Sequence, residues 1–395
     1  MFRHLLKLTW KRKSRNLILS LEILIAFAIV FAVAAFGVRY WQLYRMPLGF
    51  ESRDVWSVTI QAGGIDLLKG AIDAFRKEDK DLLFIGAGDL IGASPALSSM
   101  WADEPSIEAM NLMGLQMSSV GNHEFDQGRK ELLRQQNGGC ESPRPKKACK
   151  LAPEFKGARF TYLAANVLDK ATGKPFMPAY RIETVKGIKV GVVGVVLQDT
   201  ASVAVSSAIA GLDFIGEAEA INRTLPQMRA DGAQVIVALV HEGGRTDESP
   251  QQPACKGLTG AVVDIVKQLD PAIRLVITGH SHQGYLCQVD GRVVTQADAA
   301  GHLLSRIALT VDPASGALAN IDVKNVVMDP ARFPADPKVA AYLASVKERS
   351  RAALARLEQF AFPGNVRQLE NICHWLTVMA PAQVISLQDL PPEVL

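Results

Sequence analysis

The sequence predicts a layered α/β or α+β domain, and three observations predict it. Through the middle of the chain, apolar runs of strand length alternate with amphipathic runs of helical period. Several of those strand runs end in clusters of His, Asp and Asn, and the carboxyl ends of strands are where loops converge on one rim of an α/β sheet. At 395 residues, with 48% hydrophobic and 21% charged residues, the composition is globular with an apolar excess. That is enough to bury a large core, and it excludes disorder as the default state.

At the N-terminus, Arg3, Lys7, Lys11, Arg12, Lys13 and Arg15 precede an apolar run from Leu17 to Val38 broken only by Ser20 and Glu22. The run is close to the roughly 20 residues that a membrane-spanning helix needs. Charge flanking places the N-terminus in the cytoplasm and everything after Arg39 outside. A cleaved signal peptide is the alternative, with Ala32-Val33-Ala34 as a small-residue cleavage site, although a signal h-region usually runs about 7 to 15 residues. The expected location is therefore the cytoplasmic membrane, single-pass, with the main domain periplasmic or extracellular.

Charge is divided unevenly. Residues 1 to 56 hold nine Lys/Arg and three Asp/Glu, leaving 34 basic against 37 acidic residues in the rest. A slightly acidic body has no electrostatic footprint for nucleic acid, so no such partner is expected. Five cysteines suit an outside location. Cys140 and Cys149 bracket a short Pro/Lys-rich loop, Cys255 and Cys287 bracket a helix-strand unit, and two local disulfides with Cys373 left over is the simplest pairing. None shows the CxxC spacing of a metal site.

The strand runs, in order, are 81 to 89, 159 to 167, 188 to 196, 234 to 244, 273 to 282 and 291 to 298. Helical runs fall at 103 to 114, with Asp103 as cap and Gly114 as stop, and at 217 to 231 and 258 to 269. From Pro337 to about Phe360 a polar, Ala-rich helical stretch leads away from the core, and residues 361 to 395 change character again.

Four polar signatures close strand runs: "GAGD" with Asp89, "GNHEFD" with Asn122, His123 and Asp126, "LVHEGG" with His241, and "GHSH" with His280 and His282. A carboxylate can bridge two cations, neutral imidazoles bind Zn, Mn or Fe, and an Asn oxygen adds a neutral ligand. Two such cations about 3.5 to 4 Å apart can generate hydroxide and clamp an in-line phosphoryl displacement. Any one signature alone would be an ordinary turn or a satisfied histidine. All four in this order point to a metal site.

The stretch from about Ala62 to Ala355 resembles the metallophosphoesterase domain of secreted bacterial 5′-nucleotidases and 2′,3′-cyclic-nucleotide phosphodiesterases. The motifs that carry it are "AGGIDLL", "GAGDLIGASPALSS", "PSIEAMNLMGLQMSSVGNHEFDQG", "YLAANV", "VGVVGVV", "VHEGG" and "ITGHSH". The resemblance implies two mixed β-sheets sandwiched between helices, two divalent ions (Zn, Mn, Co or Fe), and a nucleotide or other phosphate ester as substrate. It implies that Asp89 bridges the ions, that Asn122, His241 and His280 hold the second, and that His282 holds the first. His123, oriented by Asp126, would stabilise the phosphoryl oxygens or protonate the leaving group.

This sequence departs from that pattern in three places. The family opens with a strand ending in Asp-x-His, which supplies the remaining ligands of the first metal. No Asp-x-His precedes Ala62, and Asp54 is followed two residues on by Trp56, so ligands remain chiefly for one ion. Residues 1 to about 60 instead resemble the first transmembrane helix and following strand of ABC-transporter permeases of the macrolide-exporter type. The tail "FPGNVRQLENICHWLTVMAPAQVISLQDLPPEVL" resembles the lid of the ATPase domain in enhancer-dependent transcription activators, in which Arg367 would sense nucleotide, yet no phosphate loop is present. The expected organisation is a membrane segment over 1–60, a metallophosphoesterase domain over 61–335, a linker helix over 336–360 and a lid-like tail over 361–395. Such joins read as a composite chain. A non-catalytic, membrane-anchored module of a permease-like protein is the alternative function.

Overall fold

A computed structural model describes residues 64–312 and 314–351. The predicted membrane span, Asp54, Arg367 and Cys373 lie outside these residues. Among the described residues no helix is long and apolar enough to cross a membrane. The chain divides into two compact units between Gln61 and Ala62, and the account below concerns the second.

In chain order the elements are α1 (Ile65–Glu78), β1 (Ile85–Gly86), α2 (Ala96–Ser99), α3 (Glu104–Met113), β2 (Met117–Ser119), a 3-10 turn (His123–Phe125), α4 (Arg129–Asn137), β3 (Thr161–Leu163) and β4 (Val167–Asp169). They continue through β5 (Tyr180–Val185), β6 (Ile188–Val196), α5 (Thr200–Val203), β7 (Leu212–Phe214), α6 (Glu217–Ala230), β8 (Val235–His241), α7 (Ala261–Lys267) and β9 (Leu275–Thr278). The last are β10 (Gly284–Val289), β11 (Arg292–Ala297), β12 (Leu303–Val311), β13 (Leu318–Val327) and α8 (Pro337–Arg349).

A six-stranded mixed sheet, ordered β10-β11-β9-β8-β6-β5, forms the centre. Its middle strands bury both faces, which is why they read as unbroken apolar runs. On one face, Val235, Val237 and Leu239 of β8 and Val190 and Val192 of β6 meet Met117 of β2 and Leu163 of β3. On the other, Ile236, Ala238 and Val240 pack on Ile221, Leu225 and Met228 of α6 and Val262 and Val266 of α7. The second layer is a three-stranded parallel sheet, β1-β2-β3, with the β12-β13 hairpin separate from it. Among the described residues the expected second mixed sheet is thus two pieces, with the short β4-β7 pair apart.

Two local expectations differ in their physical cause. Asp103 precedes α3 but does not cap it: its backbone is left-handed (φ 63°) and its side chain makes no capping bond. The carboxylate is taken instead by Arg144, whose Nη1 donates to Oδ2 at 2.8 Å. The helix expected to lead away from the core is docked upon it. Val339 and Val346 of α8 are buried, and the Trp101 indole donates to Ser350 Oγ at 3.0 Å just past its end. Asp336 caps this helix, accepting from the N–H groups of Lys338 and Val339.

Candidate metal centre

Four loops build the site, each leaving the carboxyl end of a parallel strand. β1 and β2 run parallel, as do β8 and β9. Chain leaving β1 carries Asp89, chain leaving β2 carries Asn122 to Asp126, β8 ends in His241, and β9 leads into His280 and His282. Ligand atoms of Asp89, His241 and His280 all lie within 4.8 Å of one another. Asn122 Oδ1 lies 3.3 Å from His241 Nε2 and 3.0 Å from His280 Nδ1, and Asp89 Oδ2 lies 3.0 Å from His241 Nε2.

The donor set fits a cation. His241 Nδ1 donates to the carbonyl of Ala87 at 2.6 Å, which leaves the Nε2 lone pair directed at Asn122 Oδ1 and Asp89 Oδ2. Three lone-pair atoms then converge with no proton among them, and a divalent ion or an extra proton on His241 satisfies that arrangement. The electrostatics agree. Burial alone would raise Asp89 and lower His241, but their mutual hydrogen bond and charge win, holding the Asp89 carboxyl below and the His241 imidazole above their ordinary values. Burial, helped by the charge of His241, lowers His280 and keeps it a neutral ligand.

Glycine makes the close approach of these loops achievable. A Cβ on Gly121 would overlap Asp89 Oδ1 and lie 2.7 Å from His241 Cε1, and one on Gly88 (φ 90°) would overlap the same imidazole. No side chain fits at either point.

His123 stands beside this cluster, half-buried. Its backbone N–H donates to Asp89 Oδ1 at 3.0 Å, and its ring Nδ1 bonds Asp126 Oδ2 at 2.8 Å. The Asp126 hydrogen bond, against the opposing effect of burial, lifts the imidazole to about 9. His282 is exposed and outside the three-residue cluster. His280 and His282 both hold left-handed backbone, at φ 66° and 52°. The four paired cysteines lie elsewhere: the structure bonds Cys140 to Cys149 and Cys255 to Cys287.

Sequence reasoning missed Glu124. Its buried carboxylate accepts the backbone N–H groups of Asp89 (2.9 Å), Leu90 (2.7 Å) and Gly121 (2.5 Å), tying the β1 and β2 loops together. Burial, reinforced by Asp89, raises it to about 7. The only sequence signal was its place between His123 and Asp126, since its partners are main-chain groups and the distant Tyr162 hydroxyl, 3.3 Å away.

Comparison with known proteins gives two family matches: residues 60–284 match the calcineurin-like phosphoesterase model and residues 338–395 the AAA+ ATPase lid domain. Over 281 residues the chain is 31% identical to endonuclease YhcR of Bacillus subtilis, covering 71% of this chain and 22% of that protein. Over 206 residues it is 28% identical to a 5′-nucleotidase of Vibrio cholerae, covering 52% of this chain and 32% of that one. The chain therefore spans well under half the length of either relative. Among solved structures, a 5′-nucleotidase precursor from Thermus thermophilus aligns with a TM-score of 0.58 at 21% identity, over 76% of this chain and 54% of that one. The phosphoesterase YfkN of Bacillus subtilis aligns with 0.56 at 22% identity, over 72% and 88%. These similarities show the fold.

Proposed function

This chain belongs to the calcineurin-like phosphoesterases, a family of hydrolases, and from that premise we propose that it hydrolyses phosphate monoesters of nucleotides, as a 5′-nucleotidase does, with one divalent ion. The observation that carries the reading is the sharing of Asn122 Oδ1 between His241 and His280 beside the Asp89 carboxylate. Asp89, Asn122, His241 and His280 would hold the ion. When bound, such an ion supplies Lewis acidity towards phosphoryl oxygens and makes water a nucleophile at neutral pH.

The chain's own groups do the rest. The Asp126 carboxylate accepts the Nδ1–H of His123 and, with the imidazole lifted to about 9, the ring is held as an imidazolium whose Nε2–H faces the substrate. There it donates a proton to the ester oxygen as water adds to phosphorus and the ester P–O bond breaks, releasing an alcohol and inorganic phosphate. Glu124 keeps Asp89 and Gly121 in register through their backbone N–H groups. The membrane-anchored, extracytoplasmic location belongs to the same proposal, and the two disulfides support it because they persist in oxidising compartments.

With no Asp-x-His before Ala62 and His282 outside the cluster, turnover should be slow. Elemental analysis of the purified full chain should find about one divalent ion. Hydrolysis of p-nitrophenyl phosphate and AMP with added Mn or Zn should be measurable but weak. Two ions with rapid turnover would overturn the single-ion reading, and no ion with no turnover would overturn the function.

A further inference from the structure

Ser281 lies between His280 and His282 in the turn that leaves β9. Its hydroxyl sits 2.8 Å from the carbonyl of Gly244 and 3.0 Å from Gln296 Oε1. Gly244 belongs to the turn that follows His241, so one hydroxyl touches both histidine-bearing turns. They are pressed together at that point: a Cβ on Gly243 would overlap Ser281 Oγ and the carbonyl of Gly279.

Gln296, on β11, is buried with its Nε2 unpartnered while its Oε1 approaches both Ser281 and Thr278 Oγ1. The Ser281 hydroxyl has one proton for two acceptors, Gly244 and Gln296. A half-turn of the Gln296 amide resolves the shortage at Ser281. Nε2 then donates to Ser281 Oγ, and Ser281 donates to Gly244. Thr278 Oγ1, which contacts the Tyr285 hydroxyl and the Thr295 carbonyl, approaches the same amide atom at 3.3 Å and would accept its second proton. Left-handed backbone at both histidines is uncommon for residues with a side chain and needs such support.

We propose that Ser281 and Gln296 are positioning residues: a clamp of a half-buried hydroxyl and a buried amide that registers His280 against His241 in the centre described above. The inference rests on the reading of that centre as a metal site.

The test is a Co(II) titration of the full chain followed by visible absorption, on the wild type and on S281A, S281T and Q296L. S281A and Q296L should bind Co(II) about 10- to 100-fold more weakly and shift the absorption band, while S281T, which keeps the hydroxyl, should retain both. Metal-free melting temperature reads any purely structural role, and should one variant fail to fold, the other carries the comparison. Wild-type affinity and spectrum in S281A and Q296L would overturn the clamp alone, as would equal losses in S281A and S281T. A wild type that binds no Co(II) would overturn the metal centre, and the clamp with it.

Discussion

At His123 one residue serves two neighbours, its backbone N–H holding Asp89 and its ring held by Asp126. Because the ring and not the backbone does the proposed chemistry, His123→Asn should leave metal content intact and lower kcat by about 100-fold or more. Steady-state hydrolysis of AMP beside elemental analysis checks this, and unchanged kcat would remove His123 from the chemistry. Glu124 makes the opposite prediction. Glu124→Ala would leave the N–H groups of Asp89, Leu90 and Gly121 and the Tyr162 hydroxyl without this acceptor, each costing about 1–3 kcal/mol where it stays buried. Urea unfolding should show a loss of at least about 3 kcal/mol. A loss under about 1 kcal/mol would mean that water replaces the carboxylate.

Between elements, the loop closed by the Cys140–Cys149 disulfide is pinned to α3 and α4 by a buried ionic knot. Glu131 receives Arg134 Nη2 at 2.8 Å and Arg144 Nη2 at 2.9 Å, while Arg134 Nη1 reaches Glu104 at 2.8 Å. Burial would raise Glu131, yet the Arg134 and Arg144 partners outweigh it and hold the carboxyl below its ordinary value. A depressed folded-state pKa stabilises above the unfolded value, about 4.3, and that stability is lost as pH falls through the folded value. Glu104 runs the other way, because burial outweighs its partners and raises it, so it offsets part of the acid loss. Stability of the wild type, followed by urea unfolding, should fall below about pH 4, and Glu131→Gln should flatten that slope. Equal slopes would exclude the knot as the acid-labile element. Helix α8 supplies a further test: Val346→Asp places an unpaired charge at a buried position and should cost at least about 3 kcal/mol in the same assay.

Across the whole molecule, what the sequence disclosed followed one physical rule. Strands buried on both faces, such as β6 and β8, are visible as continuous apolar runs, and polar residues closing such runs are visible as a site. Asn122, His123, Asp126, His241 and His280 were legible on that ground, and Asp89 from the apolar run before it, although β1 itself is two half-buried residues. Strands β5, β12 and β13, half-buried and mixed with polar residues, gave no such run. Asp103 was misread as a cap because its true partner, Arg144, is 41 residues away. The docking of α8 was hidden in sparse apolar positions, Val339, Tyr342 and Val346, whose helical spacing is weak beside the surrounding Ala and Lys. The docked helix has an optical consequence. Trp101 is the sole tryptophan among the described residues, and its indole is spent on Ser350. With Trp10, Trp41, Trp56 and Trp375 replaced by Phe, its emission becomes a built-in reporter of whether the chain beyond residue 336 stays attached. A red shift on gentle heating, before the rest of the domain melts, would reveal the order in which the protein comes apart.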